Sequence, residues 1–180
     1  FSLLTAVVFV PPAAAQTFEN LLSRHAPLIY KSSSKTVAPV LAKITDFGGP
    51  IAQKFLLTWR SKDLYFLKES GQFAYAQKLG DGRLKLINVE TGASFATVTK
   101  AAIKQIKPNS GVRAKISASL VPFLLASADP DERAASLDAL ARDFNESHLA
   151  LLDAAIIKET NAALKRRLAR AYRFGLIGFG

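Results

Sequence analysis

A chain of 180 residues with 49% hydrophobic content has room for one or two compact domains and is too apolar to remain disordered. Its 24 Lys+Arg against 14 Asp+Glu give a net charge of +10, which favours anionic partners such as nucleic acid, lipid headgroups or an acidic protein face without choosing among them. Cysteine is absent, and that excludes disulfides, thiolate-bound zinc and thiol nucleophiles.

The first stretch, Phe1 to Val10, is an apolar run, followed by Pro11-Pro12 and Ala13-Ala14-Ala15-Gln16. It is too short to span a bilayer, and small residues at Ala13 and Ala15 fit a cleavage pattern, so residues 1–15 read as an export signal. With no methionine and Phe at position 1, the chain is expected to be a piece of a longer one.

Residues 17–62 read as helical hairpins. Phe18, Leu21, Leu22, Ala26 and Ile29 recur at helical spacing until Ser32-Ser33-Ser34 stops them. Thr36 is expected to cap a second helix through Ile44, closed by Gly48-Gly49. Pro50 then opens a third, ending near Trp59.

Residues 64–98 change period. Alternation runs through Leu64–Lys68, Phe73–Gln77, Arg83–Val89 and Ala93–Val98, divided by Ser70-Gly71, Gly80-Asp81-Gly82 and Thr91-Gly92. Connections this short allow only antiparallel pairing, so the insert is expected to be a four-stranded meander with a helix covering one face.

Residues 99–180 return to helices. Lys100–Ile106 is expected to form a short one, stopped by Pro108, and Asn109 to cap a long one from Val112 to Ala126. In Asp129-Pro130-Asp131-Glu132-Arg133, the aspartate caps, the proline takes the first helical position and the acids face the helix dipole, while Arg133 is placed to pair with a neighbour. A helix from Ser147 to Lys158 is expected to pack through Leu149, Leu152, Ile156 and Ile157. Asn161 then repeats the cap 32 positions after Asp129, with Lys165 at the place of Arg133. The expected fold is therefore mainly α: HEAT-like helical-hairpin repeats with an inserted four-stranded antiparallel β-meander.

The chemistry-bearing residues are sparse. His25 and His148 lie far apart with no carboxylates at ligand spacing, Gly80-Asp81-Gly82 opens no helix, and Asp138 and Asp153 read as solvated faces. No catalytic, metal-ligating or cofactor-binding residue is expected, and no cofactor; the chain does not read as an enzyme. The candidate partner-facing residues are Arg166, Arg170 and Arg173, which share one side of a helix at spacings of four and three.

One family carries these features in the same order. They are the export signal, the helical hairpin, the strand start Asp63-Leu64-Tyr65-Phe66, the turn Val89-Glu90-Thr91-Gly92, the step Ile106-Lys107-Pro108-Asn109, the run Ala128–Ala135 and Lys158-Glu159-Thr160-Asn161. Across essentially its whole length the chain resembles the N-terminal extracytoplasmic region of the urea ABC transporter permease, the B-type subunit related to branched-chain amino acid permeases. It departs from that pattern at Asn161-Ala162, where the family has Asp-Pro, and at Ser110-Gly111-Val112-Arg113.

The resemblance implies a domain exported ahead of a urea-conducting membrane part in a bacterial inner membrane, on its periplasmic side. Its implied partners are the other permease and ATPase subunits and a periplasmic urea-binding protein. No urea-contacting residue carries over onto this segment. Two alternatives from other classes are a free periplasmic helical-repeat adaptor and a basic nucleic-acid-binding repeat protein; the export signal argues against nucleic acid.

Overall fold

The computed structural model describes residues 17–141, 144 and 146–179. The apolar run at 1–15, with its reading as an export signal, lies outside the described residues.

Helix α1 (Phe18–Arg24) starts where Thr17 Oγ1 accepts a hydrogen bond from the Asn20 amide at 3.2 Å. The single helix expected here is in fact two, because α1 stops at His25 and α2 (Ala26–Tyr30) starts afresh. Pro27 is the cause. In a continuous helix it would remove one N–H and press its ring against the Ser23 carbonyl. Helix α3 (Ala38–Phe47) lacks the expected Thr36 cap, since the Thr36 hydroxyl is bonded to that of Ser33 instead. Gly48 and Gly49, with φ of 72° and 71°, turn the chain into α4 (Gly49–Arg60), a conformation that a Cβ would strain.

Five strands follow: β1 (Leu64–Leu67), β2 (Phe73–Lys78), β3 (Leu84–Asn88), β4 (Ser94–Val98) and β5 (Ile103–Gln105). All pairs are antiparallel, in the order β4-β3-β2-β1-β5. The first four match the expected meander. The helix expected at Lys100–Ile106 is overturned: Lys100–Ala102 form one 3₁₀ turn, and Ile103–Gln105 pair with β1. A segment this short, with Ile103 and Ile106 three apart, fits either period, and here the unpaired edge of β1 decides.

The fifth strand forces the sheet to roll. Flat, four interstrand spacings would separate β4 from β5 by about 19 Å. The chain from Val98 to Ile103 spans at most about 18 Å even fully extended. It is not extended, because the 3₁₀ turn between them rises only about 2 Å per residue. The roll gives the sheet an interior of its own, with Ala74, Leu84, Leu86 and Ile103 buried among Tyr65, Leu67, Ala76, Ala96 and Val98. Alternate residues Leu64, Phe66, Phe73, Tyr75 and Val89 face the other way, onto the helices.

That outer face packs against Phe18, Phe55 and Trp59, where the rings of Phe18 and Phe55 meet edge to face at 5.4 Å. Helix α5 (Ser110–Leu125), capped by Asn109 Oδ1 on the Val112 amide at 2.9 Å, joins two cores. Val112, Ile116 and Leu120 complete the first core. Val121 and Leu125 enter a second core with Leu137, Leu140, Leu152, Leu164 and Leu168. The second core is built by α6 (Pro130–Leu140), α7 (Ser147–Lys158) and α8 (Ala162–Phe179). Ile157, expected to pack inward, is instead 73% exposed, because it lies on the flank of α7 away from Leu152.

Candidate docking face

The hairpins α5/α6 and α7/α8 place the basic residues. Asp129 Oδ1 accepts from the Asp131 amide at 2.9 Å, and Asn161 Oδ1 accepts from the amides of Ala163 and Leu164 at 3.0 and 3.1 Å. The two side chains thus cap α6 and α8 alike, as the repeat in the sequence anticipates. Both helices then bury one apolar side, Leu137 and Leu140 on α6, Leu164 and Leu168 on α8.

Between the caps sits a bidentate ion pair. Arg133 Nε and Nη2 donate to Glu159 Oε2 and Oε1 at 2.7 and 2.9 Å, and Nη1 donates to the carbonyls of Ser127 and Ala128. Glu159 also accepts from the Asn161 amide at 2.8 Å. The Arg133 guanidinium holds the Glu159 carboxyl below the usual carboxylate range, against a smaller opposing effect of burial. Arg133 was legible as an ion-pair donor; Glu159 was not, because a partner 26 positions downstream leaves no local pattern.

Helix α8 has no acidic residue but carries Lys165, Arg166, Arg167, Arg170 and Arg173. Arg167 Nη2 pairs with Asp138 Oδ1 at 2.6 Å, tying α8 to α6 at the surface. Arg166, Arg170 and Arg173 are all exposed. Among the described residues none of these three meets a carboxylate, and Arg173 Nε donates only to the Ala169 carbonyl within its own helix. The structure therefore brings the three together as an exposed line of positive charge.

Beside that line runs an apolar groove of about 410 Å³ between α6 and α8. Leu137, Leu140, Phe144 and Phe174 line it, with Arg170 on its rim. A second groove of about 490 Å³ lies between α5 and α7 and is bordered by the Arg133–Glu159 pair. The sequence reading missed Phe174, although a Phe one position past Arg173 was the signal available.

Among the described residues, chemical groups do not converge elsewhere. His25 joins α1 to α2, His148 packs edge to face on Phe144, and Asp138 is engaged by Arg167. Among the described residues no three His, Asp or Glu side chains come together as a metal set, and no helix is long and apolar enough to cross a membrane. No family model, no curated protein and no solved structure matches the chain.

Proposed function

We propose that the chain is the N-terminal extracytoplasmic domain of a urea ABC transporter permease, and that it docks the periplasmic urea-binding protein during import. The observation that carries the docking role is the exposed arginine line Arg166, Arg170 and Arg173 on a helix without acidic residues. The family assignment rests on the order of sequence features. The 32-position recurrence of Asx-capped hairpins supports placing them with helical-hairpin repeats in general, whose stacks present extended surfaces to partners. Such a charge line raises the encounter rate with an acidic partner more than it raises affinity.

The test is the triple reversal Arg166→Glu, Arg170→Glu and Arg173→Glu in the folded protein, with stopped-flow association against the purified urea-binding protein. The association rate falls at least tenfold at low salt, and the difference shrinks at physiological ionic strength, where charges are screened beyond about 8 Å. An unchanged rate at low salt, with circular dichroism intact, removes this face as the docking surface.

A further inference from the structure

The turn between β2 and β3 carries chemistry that the docking face does not use. Of all Asp and Asn residues in the chain, only Asp81 is followed by glycine. The main-chain nitrogen of Gly82 can attack Asp81 Cγ, because glycine has no Cβ to crowd the approach. A C–N bond forms, the amide proton leaves with one carboxyl oxygen and its proton as water, and a five-membered succinimide closes. Water then adds to a ring carbonyl. Opening at the former main-chain carbonyl gives isoaspartate, in which Cγ carries the backbone and the old carbonyl carbon is the free carboxylate. The atoms balance with no oxidant or other reactant, and mass and net charge are unchanged.

The carboxyl oxygen departs as water, so the protonated acid reacts and the carboxylate is a far poorer substrate. The folded turn opposes the reactive form. Asp81 Oδ1 accepts from the Arg83 amide at 2.9 Å, and Oδ2 accepts from Arg83 Nε at 2.6 Å. The amide and then the guanidinium hold the Asp81 carboxyl below its ordinary range. The nucleophile is restrained as well, since the Gly82 amide donates to the Leu79 carbonyl at 3.2 Å. Nothing shields the turn from water: Asp81, Gly82 and Arg83 are all exposed, and a Cβ placed on Gly82 would meet no atom within 4 Å.

We infer that Asp81 is the chain's site of isoaspartate formation, and that the Arg83 guanidinium restrains the reaction in the folded protein by engaging the carboxylate. The product adds one carbon to the main chain between Leu79 and Arg83, where the Leu79 amide donates to the Arg83 carbonyl at 2.9 Å to close the hairpin. Modification therefore loosens the junction of β2 and β3. Because the ion pair is exposed, its effect on the rate is a few-fold and not orders of magnitude. The inference stands on an internal turn and is independent of the proposed docking role.

Ageing of the full chain at neutral pH tests it. Isoaspartate at residue 81 is followed by enzymatic methylation and by fragmentation mass spectrometry, for the folded wild type, folded Arg83→Gln and the wild type unfolded in urea. The unfolded chain reacts fastest, the folded wild type slowest, and Arg83→Gln at least twofold faster than the folded wild type. Arg83→Lys, which keeps the charge without the planar fork, falls between wild type and Arg83→Gln. Hydrogen exchange at the Gly82 and Arg83 amides stays as in wild type, which separates release of the carboxyl from a loosened turn. Three results would overturn the proposal. Equal rates in folded wild type and Arg83→Gln assign the restraint to the main chain of the turn alone. A faster rate accompanied by faster exchange at those amides assigns it to turn stability. Absence of isoaspartate at residue 81 in the unfolded chain removes Asp81 as the site.

Discussion

Arg133 and Glu159, on either side of the step from one helical hairpin to the next, meet through two parallel hydrogen bonds of 2.7 and 2.9 Å. The pair links the start of α6 to the end of α7, and Arg133 also closes the Ser127 and Ala128 carbonyls at the end of α5. Three helix termini are thus tied by one guanidinium, a geometry that a lysine with its single nitrogen cannot reproduce. At the equivalent place on α8, Lys165 is exposed and has no carboxylate among the described residues.

Replacing Glu159→Gln keeps the shape and removes the charge. Urea unfolding should show a loss of about 1–3 kcal/mol at neutral pH, the scale of hydrogen bonds to a charged group. The sign of the pH dependence follows from the lowered pKa of Glu159. A depressed carboxyl stabilises the fold fully above its unfolded value near 4.3, and this contribution is lost as pH falls through the folded value. The gap between wild type and Glu159→Gln should therefore be flat from pH 5 to 8 and close in more acidic solution. A gap independent of pH down to 3 would show that the charge contributes nothing.

Tyr75 offers the opposite case. Its hydroxyl is buried with no hydrogen-bond partner among the described residues, and burial pushes its pKa well above the ordinary tyrosine value. An unpaired buried hydroxyl costs stability, so Tyr75→Phe should stabilise by about 1 kcal/mol at neutral pH. A raised pKa contributes stability that is complete below the unfolded value near 10 and lost as pH rises towards the folded one. The advantage of Tyr75→Phe should accordingly widen above pH 10. A Tm that falls in the variant at pH 7 would mean that the hydroxyl is satisfied in solution.

The rolled sheet makes a prediction that a four-stranded meander with a surface helix does not. Ile103 is buried inside the roll, so Ile103→Ala should cost about 2–4 kcal/mol. Phe95 is the extra residue of a bulge on edge strand β4, where the register slips between Leu86 and Ile87, and it is 45% exposed. Phe95→Ala should stay within about 0.5 kcal/mol. Equal costs at the two positions would remove the argument for a closed interior.

These sites also mark how far the sequence could be read. The first four strands, the Asn109 and Asp129 caps and the long helices were legible because each has a local cause: alternation, a capping side chain, a helical apolar face. The break at Pro27 was legible in principle, since proline acts through its own neighbours, but the apolar spacing of Phe18 to Ile29 masked it. The fifth strand was not. Three residues carry no period, and their partner, β1, is nearly 40 positions upstream. The arginine line could be read from spacing on α8, whereas the groove against α6 depends on which side chains the second core leaves uncovered.

Asn88 ties the rolled sheet to the first helix. Its Oδ1 accepts from the amides of Glu90 and Thr91 at 2.9 and 2.8 Å, shaping the β3–β4 turn, and its Nδ2 donates to Glu19 Oε1 at 2.6 Å. Glu90 Oε2 in turn accepts from the Glu19 amide at 3.1 Å, at the half-buried start of α1. Asn88→Ala removes three hydrogen bonds at once, and at about 1 kcal/mol each should cost about 2–3 kcal/mol at neutral pH. Asn88→Asp separates the two roles of the side chain. It keeps an oxygen for the turn amides, but turns the donor towards Glu19 into a second carboxylate at hydrogen-bond distance. At neutral pH the two negative charges repel, so Asn88→Asp should be at least as damaging as Asn88→Ala. Once acid protonates either carboxyl, an O–H···O bond can form between them, and the aspartate variant should then become the more stable of the two. Thermal melts of both variants from pH 3 to pH 8 should cross. Parallel curves would mean that Glu19 does not face residue 88 in solution, and that the sheet is held to α1 by its apolar face alone.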